Sequence, residues 1–194
     1  MSLVGEIERL ARGKKNLRFM EVCGTHTVAI FRAGIRNILP ANVELVSGPG
    51  CPVCVTCDDY IDRAIAYAKM DGVIIATFGD MLKVPGSSEN LAEVAAAGAD
   101  VRVIYSPLDC IKIAQENPRR RVIFLAVGFE TTAPTAAATV IATRKLGVRN
   151  LLFLSAQKLV PPALRMLLAD AAVKVDGFLL PGHVAVVTGS AAFE

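Results

Sequence analysis

No apolar run in these 194 residues approaches the roughly 18 to 20 that a bilayer-spanning helix needs. Met1 to Leu10 carries acidic residues and no apolar core, so a secretory leader is not expected. Charge is sparse, at 20% of residues, and is nowhere gathered into a basic tract. A net charge of +3 spread this thinly leaves no footprint for nucleic acid. The one basic run, Arg119-Arg120-Arg121, sits between an expected helix end and a strand and reads as a solvated turn. Neither a Walker lysine nor a full G-x-G-x-x-G is present, which weakens any phosphate-cradle reading. Repeats of the solenoid kind and low-complexity segments are also missing. A cytoplasmic, non-membrane globular protein is the expectation these absences leave.

What is present is apolar: 53% hydrophobic residues and a mean hydropathy of +0.48. Much of it is alanine and valine, as parallel sheets buried on both faces require. The length suits one sizeable core or two small ones. Five cysteines, an odd number without an export signal, favour metal or redox chemistry over a disulfide framework.

Periodicity predicts alternating strands and helices. Leu17 to Val22 reads as a strand, Thr27 to Leu39 as a helix ended by Pro40, and Val43 to Ser47 as a second strand. A helix over Tyr60 to Met70 would be capped by Asp58 or Asp59. Five further strands are expected at Val73 to Phe78, Val101 to Tyr105, Val122 to Val127, Leu151 to Leu154 and Gly177 to Leu180. Helices over Ser88 to Ala97, Leu108 to Glu116, Pro134 to Leu146 and Pro161 to Ala171 would separate them, and Val184 to Val187 is strand-like. The fold class is therefore α/β: two units with mainly parallel sheets flanked by helices and a cleft between them. Residues 1–70 would form the first unit and 71–194 the second, with about five parallel strands. Two strands and one helix cannot enclose a core alone, so the first unit must borrow strands, and chain pairing would be one way. The abrupt end after Phe193-Glu194 points to a fragment of something longer.

Three cysteine signatures constrain the chemistry most: Cys23-Gly24-Thr25-His26, Gly48-Pro49-Gly50-Cys51-Pro52-Val53-Cys54, and Cys57. The first two follow strands. Parallel strands share a carboxyl edge, where ligands bind in open α/β folds, so these thiols are expected to meet in space. Cys51 and Cys54 form a C-x-x-C shortly before a helix, a setting that lowers a thiol pKa and suits a reversible disulfide. Cys57 extends the spacing, and with Cys23 it would allow a four-iron cluster or a structural zinc. Gly24 lets the backbone bend so that His26 can take a proton from a nearby thiol. Read blandly, the cysteines are small core residues and His26 is a helix N-terminal residue. Gly128-Phe129-Glu130-Thr131-Thr132 reads as structural support for a site, and Cys110 as a core residue.

These motifs resemble those of the HypD family of [NiFe]-hydrogenase maturation factors. The resemblance starts with Cys23-Gly24-Thr25-His26-Thr27 and Gly48 to Thr56. It continues through Phe78-Gly79-Asp80-Met81-Leu82-Lys83-Val84-Pro85-Gly86, Tyr105 to Asp109, Val127 to Pro134 and Pro181-Gly182-His183-Val184. It implies assembly of an iron centre carrying two cyanides and one carbon monoxide, Fe(CN)2(CO), together with a small HypC-type chaperone and a HypE-type cyanide-transfer protein. It also implies essential roles for Cys23, Cys51 and Cys54, as iron ligands or redox thiols, and for His26, Asp80 and His183 as further polar site residues. Low-spin iron of this kind is soft and suits thiolates. Family members are about twice as long, with a cysteine-rich region binding a [4Fe-4S] cluster that this chain lacks. Cys57 and Cys110 fall outside the family motifs. A cluster-binding module using Cys23, Cys51, Cys54 and Cys57, and a thiol–disulfide oxidoreductase, stand as rival readings.

Overall fold

Ser2 opens the first helix with its side chain accepting from the Gly5 N–H at 3.2 Å, the usual way to satisfy a free amide at a helix start. The computed structural model describes residues 2–194. In chain order the elements are α1 (Leu3–Ala11), β1 (Leu17–Glu21), α2 (Gly24–Arg32), α3 (Ile35–Ile38), β2 (Val43–Ser47), α4 (Asp58–Ala68), β3 (Val73–Thr77), α5 (Leu91–Ala96), β4 (Val101–Val103), α6 (Asp109–Glu116), β5 (Arg121–Gly128), α7 (Ala133–Lys145), β6 (Leu151–Gln157), α8 (Val160–Ala169), β7 (Gly177–Leu179) and α9 (Gly182–Thr188). A 3-10 turn over Gly79–Lys83 follows β3. No helix among the described residues is long and apolar enough to cross a membrane.

All strands pair in parallel, in two sheets of order β2-β1-β7 and β4-β3-β5-β6. The expected α/β class with two mainly parallel sheets is what forms. The units are divided differently from the expected boundary between residues 70 and 71. Residues 1–54 with 160–194 make one unit, and 55–159 make the other. The reason lies in β7. Gly177–Leu179 was expected in the second sheet, but it pairs with β1 through Phe19↔Gly177 to Glu21↔Leu179. The second sheet thus has four strands, and the undersized first unit gains its third strand from the returning chain. Asp176 seals that return: its carboxylate accepts the Arg18 N–H at 2.7 Å, and its own N–H donates to the Arg18 carbonyl at 2.7 Å.

Two local expectations also give way. The helix read over Thr27 to Leu39 is two, because Gly34 takes the left-handed conformation at φ 63 and breaks the ladder. Strand-like Val184 to Val187 lies inside α9; so short an apolar run carries no period that separates helix from strand.

In the second unit the register builds the core. Ile74, Val122 and Leu151 stand in one row and Ala76, Phe124 and Phe153 in the next. Cys110, Ile111 and Ala114 of α6 and Ala136 of α7 pack on that face. Phe124 meets Phe78 and Phe153 edge-on, with centroids 5.7 and 6.0 Å away. At α4, Tyr60 donates to the Leu154 carbonyl at 2.7 Å, and burial pushes its phenol well above the usual range. Cys110 is fully buried, with its thiol pushed up to about 12 by burial, in keeping with a core residue.

Candidate functional site

Both sheets start at an inner strand, add the second strand on one side of it and the third on the other. Such a reversal leaves a crevice at the strands' carboxyl ends, where ligands bind in open α/β sheets. In the first unit it falls between β1 and β7, with β2 on the far side of β1. Three loops rise from this edge: Val22 to Gly24 from β1, Gly48 to Cys54 from β2, and Leu180 to Pro181 from β7. These loops, with the first turns of α2 and α9 that they feed, carry Cys23 and His26, Cys51 and Cys54, and His183, so five of the six expected site residues belong to one edge of one unit. Asp80, in the 3-10 turn after β3, belongs to the corresponding edge of the second unit, as does buried Glu130 after β5.

Backbone contact joins the two cysteine loops. The Gly48 N–H donates to the Glu21 carbonyl at 2.9 Å, continuing the β1–β2 ladder by one bond beyond Glu21↔Ser47. Two residues on, a Cβ at Gly50 would be driven into the Cα and N of Cys23 and would come within 2.6 Å of the Val22 carbonyl carbon. A Cβ at Gly48 would meet the Met20 sulfur at 2.6 Å. The Gly-Pro-Gly turn therefore lies flat on the end of β1 because neither glycine has a side chain. On the other side, the Val22 N–H donates to the Leu179 carbonyl at 3.1 Å.

Cys23 is the N-cap residue of α2, with extended backbone at φ -170 and ψ 127, and its side chain makes no cap hydrogen bond. Its carbonyl accepts from the Thr27 N–H at 3.2 Å and from the Thr27 hydroxyl at 3.5 Å. The thiol is buried, Cys51 is half-buried, and Cys54 and Cys57 are exposed; all five cysteines are free thiols. His26 is half-buried in the first turn of α2, and His183 is exposed in the first turn of α9.

The C-x-x-C does not sit on a helix N-terminus. Residues 52–56 form a turn, and Cys57 stands at the N-cap position of α4 without a side-chain cap hydrogen bond; Asp58 and Asp59 occupy that helix's first turn rather than its cap. The lowered thiol pKa expected of the motif is absent at Cys54, which is held above the ordinary value. Its hydrogen bond to Cys51 is the largest cause, followed by burial. The two thiols of the pair are thus close enough for one to influence the ionisation of the other.

Glu21 and Arg36 went unnoticed in the sequence. Glu21 ends β1 and is completely buried, and Arg36 of α3 donates to its Oε1 at 2.9 Å. Burial pushes the carboxyl up, but the nearby Thr27 hydroxyl, the Arg36 guanidinium and then the His26 charge outweigh it and hold it below the usual carboxylate range. The signal was there: Leu17, Phe19 and Glu21 share one face by period-two alternation, and a carboxylate on that face is out of pattern.

Among the described residues, no three or more His, Cys, Asp and Glu side chains stand close enough together to hold a metal ion. The four-thiol arrangement that a cluster on Cys23, Cys51, Cys54 and Cys57 needs is therefore not assembled. What the first unit offers is a thiol pair, Cys51 and Cys54, on a loop laid against the backbone of a third thiol residue.

Residues 1–194 match the family described as "HypD: Hydrogenase formation hypA family". The chain is 47% identical over 181 residues to the hydrogenase maturation factor HypD of Escherichia coli K12, covering 93% of this chain and 48% of that protein. It is 45% identical to the factor of the same name from Azotobacter vinelandii, covering 98% and 52%, and 42% identical to that of Rhodobacter capsulatus, covering 96% and 51%. It spans about half the length of these curated relatives. The matched span covers both units, and the chain belongs to the HypD family of hydrogenase formation proteins.

Proposed function

We propose that this chain supplies the thiol-bearing half of a hydrogenase maturation factor, in which an iron centre acquires its two cyanides and its carbon monoxide. The iron is cargo. One observation carries the reading: the Gly48-Pro49-Gly50 turn rests on the Cys23 backbone, which keeps the loops of all three thiols together. Thiolates suit soft, low-spin iron bearing these ligands. With no three-donor group preformed, the cargo would be held by one or two of these sulfurs, leaving its other positions to diatomic ligands or to a partner's donor. A HypC-type chaperone and a HypE-type cyanide donor are the partners this implies. Cys23 offers a thiolate to the iron, His26 takes its proton, and Asp80 and His183 orient ligands or partners.

The influence of Cys51 on the ionisation of Cys54 favours a second role for that pair. Closing them into a disulfide releases two electrons and two protons, which ligand assembly can draw on.

The test is Cys23→Ala in the full-length protein, reading hydrogenase activity and the infrared bands of iron-bound cyanide and carbon monoxide. Loss of both is expected; unchanged maturation overturns the role of this thiol. A redox titration without a reversible Cys51–Cys54 couple would remove the electron-supplying role.

A further inference from the structure

Four strands end a sheet in this chain, and three of them are guarded. β4 and β7 are three residues long, and β2 holds Glu44 in an ion pair with Arg18. β6 differs: it ends its sheet beyond β5, runs for seven residues, and carries neither charge nor proline. A short strand, a charge or a proline is how sheet edges are commonly kept from pairing, and β6 has none of these. Its ladder opens with the Val122 N–H on the Asn150 carbonyl and closes with the Lys158 N–H on the Gly128 carbonyl. In a parallel pair alternate residues bond to the neighbour, so Leu152, Leu154 and Ala156 face β5 while Leu151, Phe153 and Ser155 direct their N–H and C=O groups outward. Those outward groups have no partner among the described residues; the Gln157 N–H, next in the same row, is taken by the Ser155 hydroxyl at 3.4 Å. Along this edge, Leu152 and Leu154 form one wall of an apolar groove of about 350 Å³ with Tyr67, Met70 and Ile123. Leu152 is 45% exposed and Met70 54%. The groove's charged lining residue is Arg121, exposed and without an ion pair among the described residues.

We propose that the β6 edge is a docking site for an extended segment of a partner protein, which adds to the sheet antiparallel as a fifth strand. Backbone bonds to Leu151, Phe153 and Ser155 hold such a segment, its alternate apolar side chains lie in the groove, and an acidic residue near its carboxyl end meets Arg121. Charge argues against a second copy as the occupant. Antiparallel pairing of β6 with itself about Leu154 brings Lys158 of one copy opposite Asn150 of the other, in the row that holds Arg121, so that cation faces cation. The site lies wholly in the second unit and stands independently of the role given to the thiols.

The probe is acetyl-Val-Thr-Val-Thr-Val-Thr-Glu-amide, added to the 194-residue chain. With its glutamate opposite Asn150, the valines face the groove and the threonines exchange bonds with Leu151, Phe153 and Ser155. Hydrogen exchange at those three amides should slow on binding. N-methylation of the threonines should abolish the effect, whereas N-methylation of the valines should leave it. Ser155→Pro removes an outward N–H that the β5 ladder does not use and should weaken binding about tenfold. Arg121→Glu should weaken it about fivefold, with affinity restored by a probe ending in lysine. No slowing at millimolar probe, equal binding of the two methylated probes, or undiminished binding by Arg121→Glu overturns the proposal. So does protection of the three amides in a dimer of the chain alone, which would give the edge to a second copy. If Ser155→Pro fails to fold, the methylated probes decide on the unaltered chain.

Discussion

Gly50→Ala adds one methyl group where the structure has no room for it. The Cβ would overlap the Cα and N of Cys23. These are backbone atoms, so no rotamer change relieves the clash; one of the two loops must move. Gly50 is not among the glycines with positive φ, so alanine suffers no conformational penalty and the whole effect is steric. Overpacking of this kind costs about 1–3 kcal/mol, and the upper half of that range fits a backbone obstacle. With a urea slope of about 2 kcal/mol/M, a loss of about 2–3 kcal/mol moves the first unit's unfolding midpoint down by about 1–1.5 M. The chain has two units, so a probe in the first unit is required. Cys23, 5% exposed, serves as that probe: if iodoacetamide reaches it only through opening, the same loss speeds its native-state alkylation by roughly 30- to 140-fold. Gly24→Ala is the matched control on the other flank of Cys23. Its Cβ meets nothing within 4 Å, and it should stay within about 0.5 kcal/mol of the parent or gain slightly from helix propensity. Equal midpoints and equal alkylation rates for the two variants would refute the claim that the turn rests on Cys23.

The remaining predictions concern charge, thiol ionisation and packing. Cys54 is held above its ordinary value chiefly by the neighbouring Cys51 thiol, so Cys51→Ala should move the midpoint of its alkylation-versus-pH curve downward; an unmoved midpoint would mean that Cys51 does not influence it. Asp100 is held down at about 2, first by its bond to Arg102 and then by Arg120. A depressed carboxyl stabilises the fold fully above its unfolded value of 3.8 and loses that contribution as pH falls through about 2. Asp100→Asn should therefore cost about 2 kcal/mol at neutral pH and flatten the acid limb of thermal stability between those values; a parallel acid limb would contradict this. Phe124→Leu gives up two edge-on ring contacts and should destabilise the second unit by about 1.5–3 kcal/mol in urea unfolding, with no change in Cys23 alkylation.

The sequence made the second unit legible because pattern and packing agree there. Val122 to Val127 read as a strand and lies within β5, and Pro134 to Leu146 nearly coincides with α7. The convergence of thiol loops was also readable, since parallel strands feeding helices share a carboxyl edge. What could not be read was which sheet Gly177–Leu179 would join, because a three-residue strand says nothing about its neighbour. Residue types likewise hid that the turn over residues 52–56 would come between Cys54 and α4, leaving the helix start to Cys57. Glu21 was legible only as a break in alternation. Its importance emerges from depth of burial and from an oxygen left without a donor, and both are properties of the packed chain.

In both units the first strand lies between the next two, but the loops are held by different means. In the second, the motif loops after β3 and β5 stand on a sheet packed by buried rows on Ile74 and Phe124, so Asp80, exposed in its turn, can be altered with little cost to the fold. In the first, Ala11, Glu21, Val22, Cys23, Val160, Leu164, Pro181 and Val184 are the buried residues, and Glu21 and Cys23 among them belong to the candidate site. The contacts that bring its thiol loops together, Gly48 on Glu21 and Gly50 on Cys23, are also those that close the sheet end. Site and scaffold are the same atoms there. It follows that loss of maturation in a variant of Cys23 or Glu21 identifies chemistry only when the variant keeps the parent's urea midpoint, whereas a variant of Asp80 carries no such condition.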